Sequence, residues 1–269
     1  MNHKKIIINA DDVGMHPEVD CAIAELAGKN IVSSASVMSL GAPDGDALNA
    51  MTDHGVDLGL HLDFTSAFAG RRYSTAYSVK SLIIAAWRRR LDPAHVRNVI
   101  DEQLDRFEQA VGMPPIFVDG HEHVHQFPMI REALFEVLDK RYPRQRFSIR
   151  NTKPARWRGP KAAIIAMLGA RETMRQVRGG GHRCNTDFAG VYDFSPASDL
   201  PGLWDGWLRA MRIDGGLIMC HPARKLLDDD SIAAARLHEF RFFASDDFSE
   251  LLSKHKVRAT GWDDALVTD

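Results

Sequence analysis

Short apolar runs alternate with helix-patterned stretches along the chain, and that alternation narrows the fold more than any other feature. The strand-like runs are Ile6–Ile8, Ile31–Met38, Val56–Leu62, Pro115–Val118, Arg146–Ile149, Gly216–Cys220 and Lys256–Ala259. Between them lie helical stretches at Pro17–Gly28, Asp44–Asp53, Ala94–Val111, Met129–Lys140, Pro160–Met174, Leu200–Met211 and Ser231–Lys254. Pro17 suits a first helical turn and Gly28 a helix end. Parallel strands need a crossover connection, so the pattern predicts an α/β fold with a parallel sheet. With about seven such units, an irregular (β/α) barrel is expected ahead of an open doubly wound sheet. A single domain over 1–269 is expected, with excursions from the core near 65–92 and 177–195. Segments of that kind often carry substrate contacts.

Composition removes several classes of function. A net charge of -2 provides no global basic field for nucleic acid. Cys21, Cys184 and Cys220 are far apart and form no CxxC pair, so neither a disulfide framework nor a thiolate zinc cluster is expected. No run approaches the ~20 apolar residues of a membrane span. The N-terminal MNHKKIII is too short for the apolar region of a signal peptide. The expected location is therefore cytoplasmic.

The polar residues fall at instructive places. Asp11 and Asp12 follow the first strand in INADDVG, and His61 ends VDLGLHL. His121, His123 and His125 follow IFVDG in DGHEHVHQFP. Arg150 ends RFSIR, and His221 ends GGLIMCHP. Each lies at the carboxyl end of a strand, the edge where parallel α/β folds build their sites. Two adjacent carboxylates repel unless something separates or neutralises them. An aspartate converging with histidines suits a divalent ion, and a second aspartate could then take a proton from water. The pair would divide into one ligand and one base. Two other acidic runs, Asp228–Asp230 and Asp246–Asp247, precede helical stretches and read as helix N-terminal charges. Gly120 and Pro128 suggest that the strand before the histidine cluster stops, so spacing does not choose the ligand among His121, His123 and His125.

INADDVG, GLHL, DGHEHVHQFP and MCHPA, in this order, resemble the YdjC/ChbG-type carbohydrate deacetylases, a superfamily that includes the hopanoid-associated deacetylases. The resemblance covers most of the chain. It implies a NodB-like irregular (β/α) barrel and a hydrolase that removes acetyl groups from N-acetylated amino sugars such as chitooligosaccharides. It implies a divalent cofactor held by Asp12, His61 and His121, usually magnesium in the family, although two imidazoles suit zinc at least as well. Asp11 would be the base and His221 the acid; apart from the resemblance, a neighbouring Arg150 would keep Asp11 ionised and oriented, because a cation lowers a carboxylate pKa. His123 and His125 would face substrate or support the ligands. Members often dimerise, so a homodimer is an option here. Val13 and Gly120 depart from the usual aromatic and serine of the family's motifs, which bears on substrate shape more than on chemistry.

Three other readings stay open on sequence alone. One is metal-dependent hydrolysis of a phosphoester or a different amide, and another is a non-catalytic sugar-binding relative. The last is a nucleic-acid binder using the arginines of RRYSTAYSVKSLIIAAWRRRLDP, against which the charge balance speaks. The same arginines could meet a substrate phosphate, or simply form the solvated face of an amphipathic helix. Gly179–Gly181 in RETMRQVRGGGHRCNTD could hinge a lid or form a plain connection.

Overall fold

The computed structural model describes residues 3–73 and 77–266. In chain order its strands are β1 (Lys4–Val13), β2 (Ser34–Val37), β3 (Asp57–Leu62), β4 (Phe117–Gly120), β5 (Ser148–Ile149), β6 (Asp187–Ala189), β7 (Gly216–Cys220) and β8 (Val257–Ala259). They join in the order β5-β4-β3-β2-β1-β7-β6, with β8 paired to the first residues of β1. Every pairing is parallel. Ser148 also bridges to Arg183, just ahead of β6, which draws the two ends of the path together. The result is the expected irregular barrel.

The helices are α1 (Pro17–Gly28), α2 (Gly45–Asp53), α3 (Ala67–Arg72), α4 (Val79–Trp87), α5 (Pro93–Val111), α6 (Ile130–Arg141), α7 (Pro160–Met167), α8 (Ala170–Gly179), α9 (Leu200–Ala210), α10 (Ala233–Phe243), α11 (Asp246–Lys254) and α12 (Trp262–Ala265). Two expected helices are each split. Gly169, at φ 146°, separates α7 from α8, and Ser245, extended and bonded back to the Phe242 carbonyl, separates α10 from α11. The excursion near 65–92 folds into α3 and α4, apart from residues 74–76, which lie outside the described residues. The excursion near 177–195 contains β6, a strand absent from the sequence reading. Three residues carry little periodic signal, and pairing with Gly216–Ile218 is what defines it.

Side-chain alternation divides β1 between two environments. Ile6 and Ile8 pack into the large core against the helices. Ile7 joins Phe117, Leu217, Met219 and Trp262 in a second, smaller cluster. Phe117 stacks on Trp262 there, centroids 5.0 Å apart. Above this plug the same face becomes polar. Trp262 Nε1 donates to Ser34 Oγ at 3.0 Å, Ser34 donates to Asn9 Oδ1, and Asn9 Nδ2 donates to Ser36 Oγ and Asp11 Oδ1. The polar column leads to the carboxyl edge of the sheet.

Gly59 of β3 makes room for this arrangement: a Cβ there would lie 2.5 Å from the Phe117 ring. Gly59→Ala should cost about 1–3 kcal/mol by overpacking. A urea melt checks this, and a midpoint equal to that of the parent would show that the ring can yield.

Candidate active site

The aspartate pair lies within β1, which runs on to Val13 instead of stopping at Ile8. Adjacent residues of a regular strand point to opposite faces, yet both carboxylates are buried in one network. The register slips between Ala10 and Val13, and Asp12 takes a left-handed conformation with φ 73°. A bulge of this kind re-aims a side chain. Asp20 pins the turn that follows: its carboxylate accepts from Gly14 N at 2.6 Å and Asp44 N at 2.9 Å.

The two aspartates have different partners. Asp12 Oδ1 lies 3.3 Å from His61 Nε2 and 3.1 Å from His121 Nδ1. The three residues offer ligand-type atoms all within 4.8 Å of one another. Asp12 Oδ2 turns the other way and accepts from Arg236 Nη2 at 2.7 Å. Asp11 receives both Arg150 amino groups, at 2.5 and 2.7 Å, and faces His221 Nε2 at 3.8 Å. Burial alone would raise Asp11, but the charge and hydrogen bonds of Arg150 more than reverse that, leaving it well below the usual carboxylate range. Asp12 is likewise held low: Arg236, His121 and His61 outweigh its burial.

Asp119 ties the halves together. Its Oδ1 lies 2.7 Å from His61 Nδ1, and its Oδ2 forms an ion pair with Arg150 Nη2 at 2.5 Å and accepts from Ser36 Oγ at 2.6 Å. With Nδ1 engaged, His61 is left to present Nε2 toward Asp12. A carboxylate behind a histidine is the usual support for a metal-binding imidazole, so these residues fit an ion. Burial opposes the imidazolium of His61, but Asp119 and Asp12 overcome it and raise its pKa well above the normal histidine value.

The histidine cluster fans out. β4 stops at Gly120, and His121–Gln126 form a 3-10 turn with Glu122 and His123 at positive φ. His121 reaches Asp12. His123 borders the cavity, edge-on to Phe188 at 5.8 Å. His125 goes under the site, its Nε2 2.9 Å from the Arg150 carbonyl oxygen. It does not border the cavity, so substrate-facing is not where this structure places it. His221 lies at the end of β7, edge-on to Phe194 at 5.2 Å. Its backbone N–H donates to Glu239, which also accepts from Tyr192. Burial raises the Glu239 pKa to about 7 despite those donors.

A cavity of about 780 Å³ opens over these groups. Ser66, Phe68, Arg71 and Val79 from the first excursion and Val191 and Phe194 from the second border it, whereas Gly179–Gly181 do not. Arg72 of α3 and Arg89, in the turn after α4, are exposed and paired with Glu102 and Glu132.

Sequence reasoning missed Asp119, Arg236 and Asp230. Asp119 could have been found: it is the inward residue after Phe117, and β-pairing sets it opposite His61. Asp230 is more than a helix-end charge, since its carboxylate accepts from Arg236 Nε at 2.6 Å and borders the cavity. No local spacing announces that Arg236 meets Asp12.

Fold and site together define a parallel (β/α)-barrel protein with an Asp–His–His group, suited to an ion, at its strand ends. The YdjC-like protein family matches residues 5–254, and the chain belongs to that family. A carbohydrate deacetylase of Mus musculus is 28% identical over 166 residues, covering 58% of this chain and 52% of that protein. The chain spans about half the length of this and the other vertebrate relatives it matches. A carbohydrate deacetylase of Clostridium beijerinckii is 24% identical over 97% of this chain and 99% of its own. Among solved structures, a candidate cellobiose-phosphate cleavage protein of Enterococcus faecalis superposes with a TM-score of 0.69 at 19% identity, covering 98% of this chain and 99% of that one. A family 4 acetyl xylan esterase of Clostridium thermocellum, solved with a cobalt ion, shares the fold at 0.50 and 11% identity, over 97% and 90% of the two chains.

Proposed function

We propose that this chain is a single-domain, metal-dependent carbohydrate deacetylase that hydrolyses the acetamide of N-acetylated amino sugars. One observation carries the reading: the neighbouring aspartates are separated by their partners. Asp12 faces His61 and His121, while Asp11 is clamped by Arg150 and faces His221. The relatives' names support a carbohydrate substrate, and that of a chitooligosaccharide deacetylase of Serratia marcescens, 31% identical over 47% of this chain, supports an amino sugar.

Asp12, His61 and His121 would hold the ion, which when bound polarises a carbonyl and lowers the pKa of water. Two imidazoles and one carboxylate suit zinc, with magnesium the other candidate. Elemental analysis of protein purified without added metal distinguishes them. Asp11, ionised by its contact with Arg150, takes the proton of the attacking water. His221 begins neutral, because burial lowers its pKa to about 4 even though Asp11 and Asp12 pull the other way. The water's proton passes from Asp11 across the 3.8 Å gap to His221 Nε2 and then to the departing amine nitrogen. The C–N bond breaks, acetate leaves and the free amine forms.

A pH profile tests the neutral starting state. The pKa of His221 in the fold is lowered from its ordinary 6.5 to about 4, so the imidazole is half deprotonated there and neutral around pH 7. The kcat/KM of the loaded enzyme should climb as pH rises through that value and show no fall across the ordinary histidine range, since kcat/KM reports the free enzyme. A decline near neutrality that His221→Gln removes would mean the protein must bind substrate with His221 already protonated.

The function itself is checked by acetate release from a panel of N-acetylated sugars, with phosphate esters alongside. Acetate from at least one sugar is expected, abolished together with metal content by Asp12→Asn. Turnover of phosphate esters alone would redirect the assignment to another hydrolase.

A further inference from the structure

A second cavity, of about 770 Å³, lies on the other side of α7 from the first. Lys161, Ile165 and Leu168 border the catalytic cavity, whereas Ala163, Ala166 and Met167 border the outer one. α4 likewise touches both, through Val79 within and Trp87 without. The outer cavity is walled by Trp87, Trp157, Pro154 and the apolar side of α7. Its large side chains face solvent: Trp157 is 75% exposed, Met167 76% and Trp87 54%. Ile84 of α4 and Ile164 of α7 are exposed on the same two helices. Three of the eight large apolar side chains that the described residues leave exposed therefore border this cavity, and two more lie on the helices that wall it. Exposed large apolar side chains gathered around one cavity mark an interaction site.

The rim is cationic. Lys153, Arg156 and Arg171 border the cavity, and none forms an ion pair among the described residues. Glu172, the acidic group beside them, is engaged by Arg175. Arg88 and Arg90, which follow Trp87, are exposed and also unpaired among the described residues. Tryptophan and aliphatic side chains with lysines and arginines around them suit the interface of an anionic bilayer, where rings enter the headgroup layer and cations meet lipid phosphates. A second copy of the chain is a poor occupant, since a two-fold contact would bring the same cations together. A sugar subsite is a poorer fit, since the charged side chains bordering this cavity are Lys153, Arg156, Arg171 and Glu172, with no amide or hydroxyl side chain among them.

We infer that this face, centred on Trp87, Trp157 and Met167, docks the protein peripherally on membranes rich in anionic lipid. No described helix is long and apolar enough to cross a membrane, so the attachment is superficial. Docking sets α4 and α7, the walls shared with the catalytic cavity, against the bilayer.

Flotation of the full chain with vesicles tests this. Binding to phosphatidylcholine mixed with phosphatidylglycerol is expected, weaker with phosphatidylcholine alone and weakened by salt. Trp204, Trp207 and Trp262 are buried, so Trp87 and Trp157 should dominate a blue shift of emission on binding. Trp87→Ser with Trp157→Ser should remove that shift and weaken binding at least ~10-fold. Lys153→Gln, Arg156→Gln and Arg171→Gln together should weaken it on the order of 100-fold. These side chains are exposed, so the fold should tolerate the changes. Failure to float with mixed vesicles at low salt overturns the inference, as does binding that survives both sets of substitutions. Self-association without lipid that is lost on removing the tryptophans would assign the face to a second copy instead.

Discussion

Asp11→Asn should keep the ion and lose turnover by roughly 10²–10⁴-fold, the range supplied by a positioned acid or base. The substitution is nearly isosteric, so the amide can still meet Asn9 and one arm of Arg150. It cannot take a proton from water. Arg150 keeps the Asp119 carboxylate at 2.5 Å, so its charge is not left bare. Asp12, whose oxygens face His61, His121 and Arg236, is not among the groups altered, which is why metal content should hold. Asp12→Asn is the contrast: metal and activity should go together. Metal content by elemental analysis and initial rates of acetate release, taken on both variants, separate the roles. If Asp11→Asn turned over substrate at the parental rate, Asp11 would not be the base, and the proton path to His221 would go with it.

Most of the site could be read before any coordinates because its residues terminate apolar runs. A polar side chain after a buried strand stands out, as His61, Arg150 and His221 do. What stayed hidden was whatever depends on geometry at a distance. The sequence reading ended the first strand at Ile8, since two aspartates look like a turn; the bulge at Asp12 lets the strand continue through them. Asp119 sat in plain view inside IFVDG but read as strand body, and its meaning comes from lying opposite His61 in the sheet. Arg236 lies on α10, where the local pattern is an ordinary helix, and it reaches Asp12 across 224 positions. β6 and the breaks in the long helices were likewise decided by pairing and packing. By contrast α1 and β7 match their expected limits, because a proline start, a glycine end and an unbroken apolar run are local signals.

Arg150→Met should be the most destabilising of these substitutions, by about 3–5 kcal/mol, because it leaves two buried carboxylates without their shared cation. Asp11 and Asp119 are both almost fully buried and both lean on this guanidinium. Methionine fills much of the volume, so the loss would report charge more than a cavity. The pH dependence separates the two. In the parent, Asp11 has a folded pKa below its unfolded value: burial raises it, and Arg150 more than compensates. Its contribution to stability is therefore complete above the unfolded pKa near 3.9 and fades only as pH falls through the lower folded value. Without Arg150, burial is unopposed by that cation and the folded pKa should rise above the unfolded one. Such a group supports the fold at low pH and loses that support as pH climbs through the raised value. The stability gap between parent and variant should thus be widest at neutral pH and narrow toward about pH 4. Urea melts of both proteins across that range measure the gap directly. A gap that stayed constant with pH would mean the loss comes from packing, and that the charge of Arg150 is not what holds Asp11 and Asp119 in the barrel.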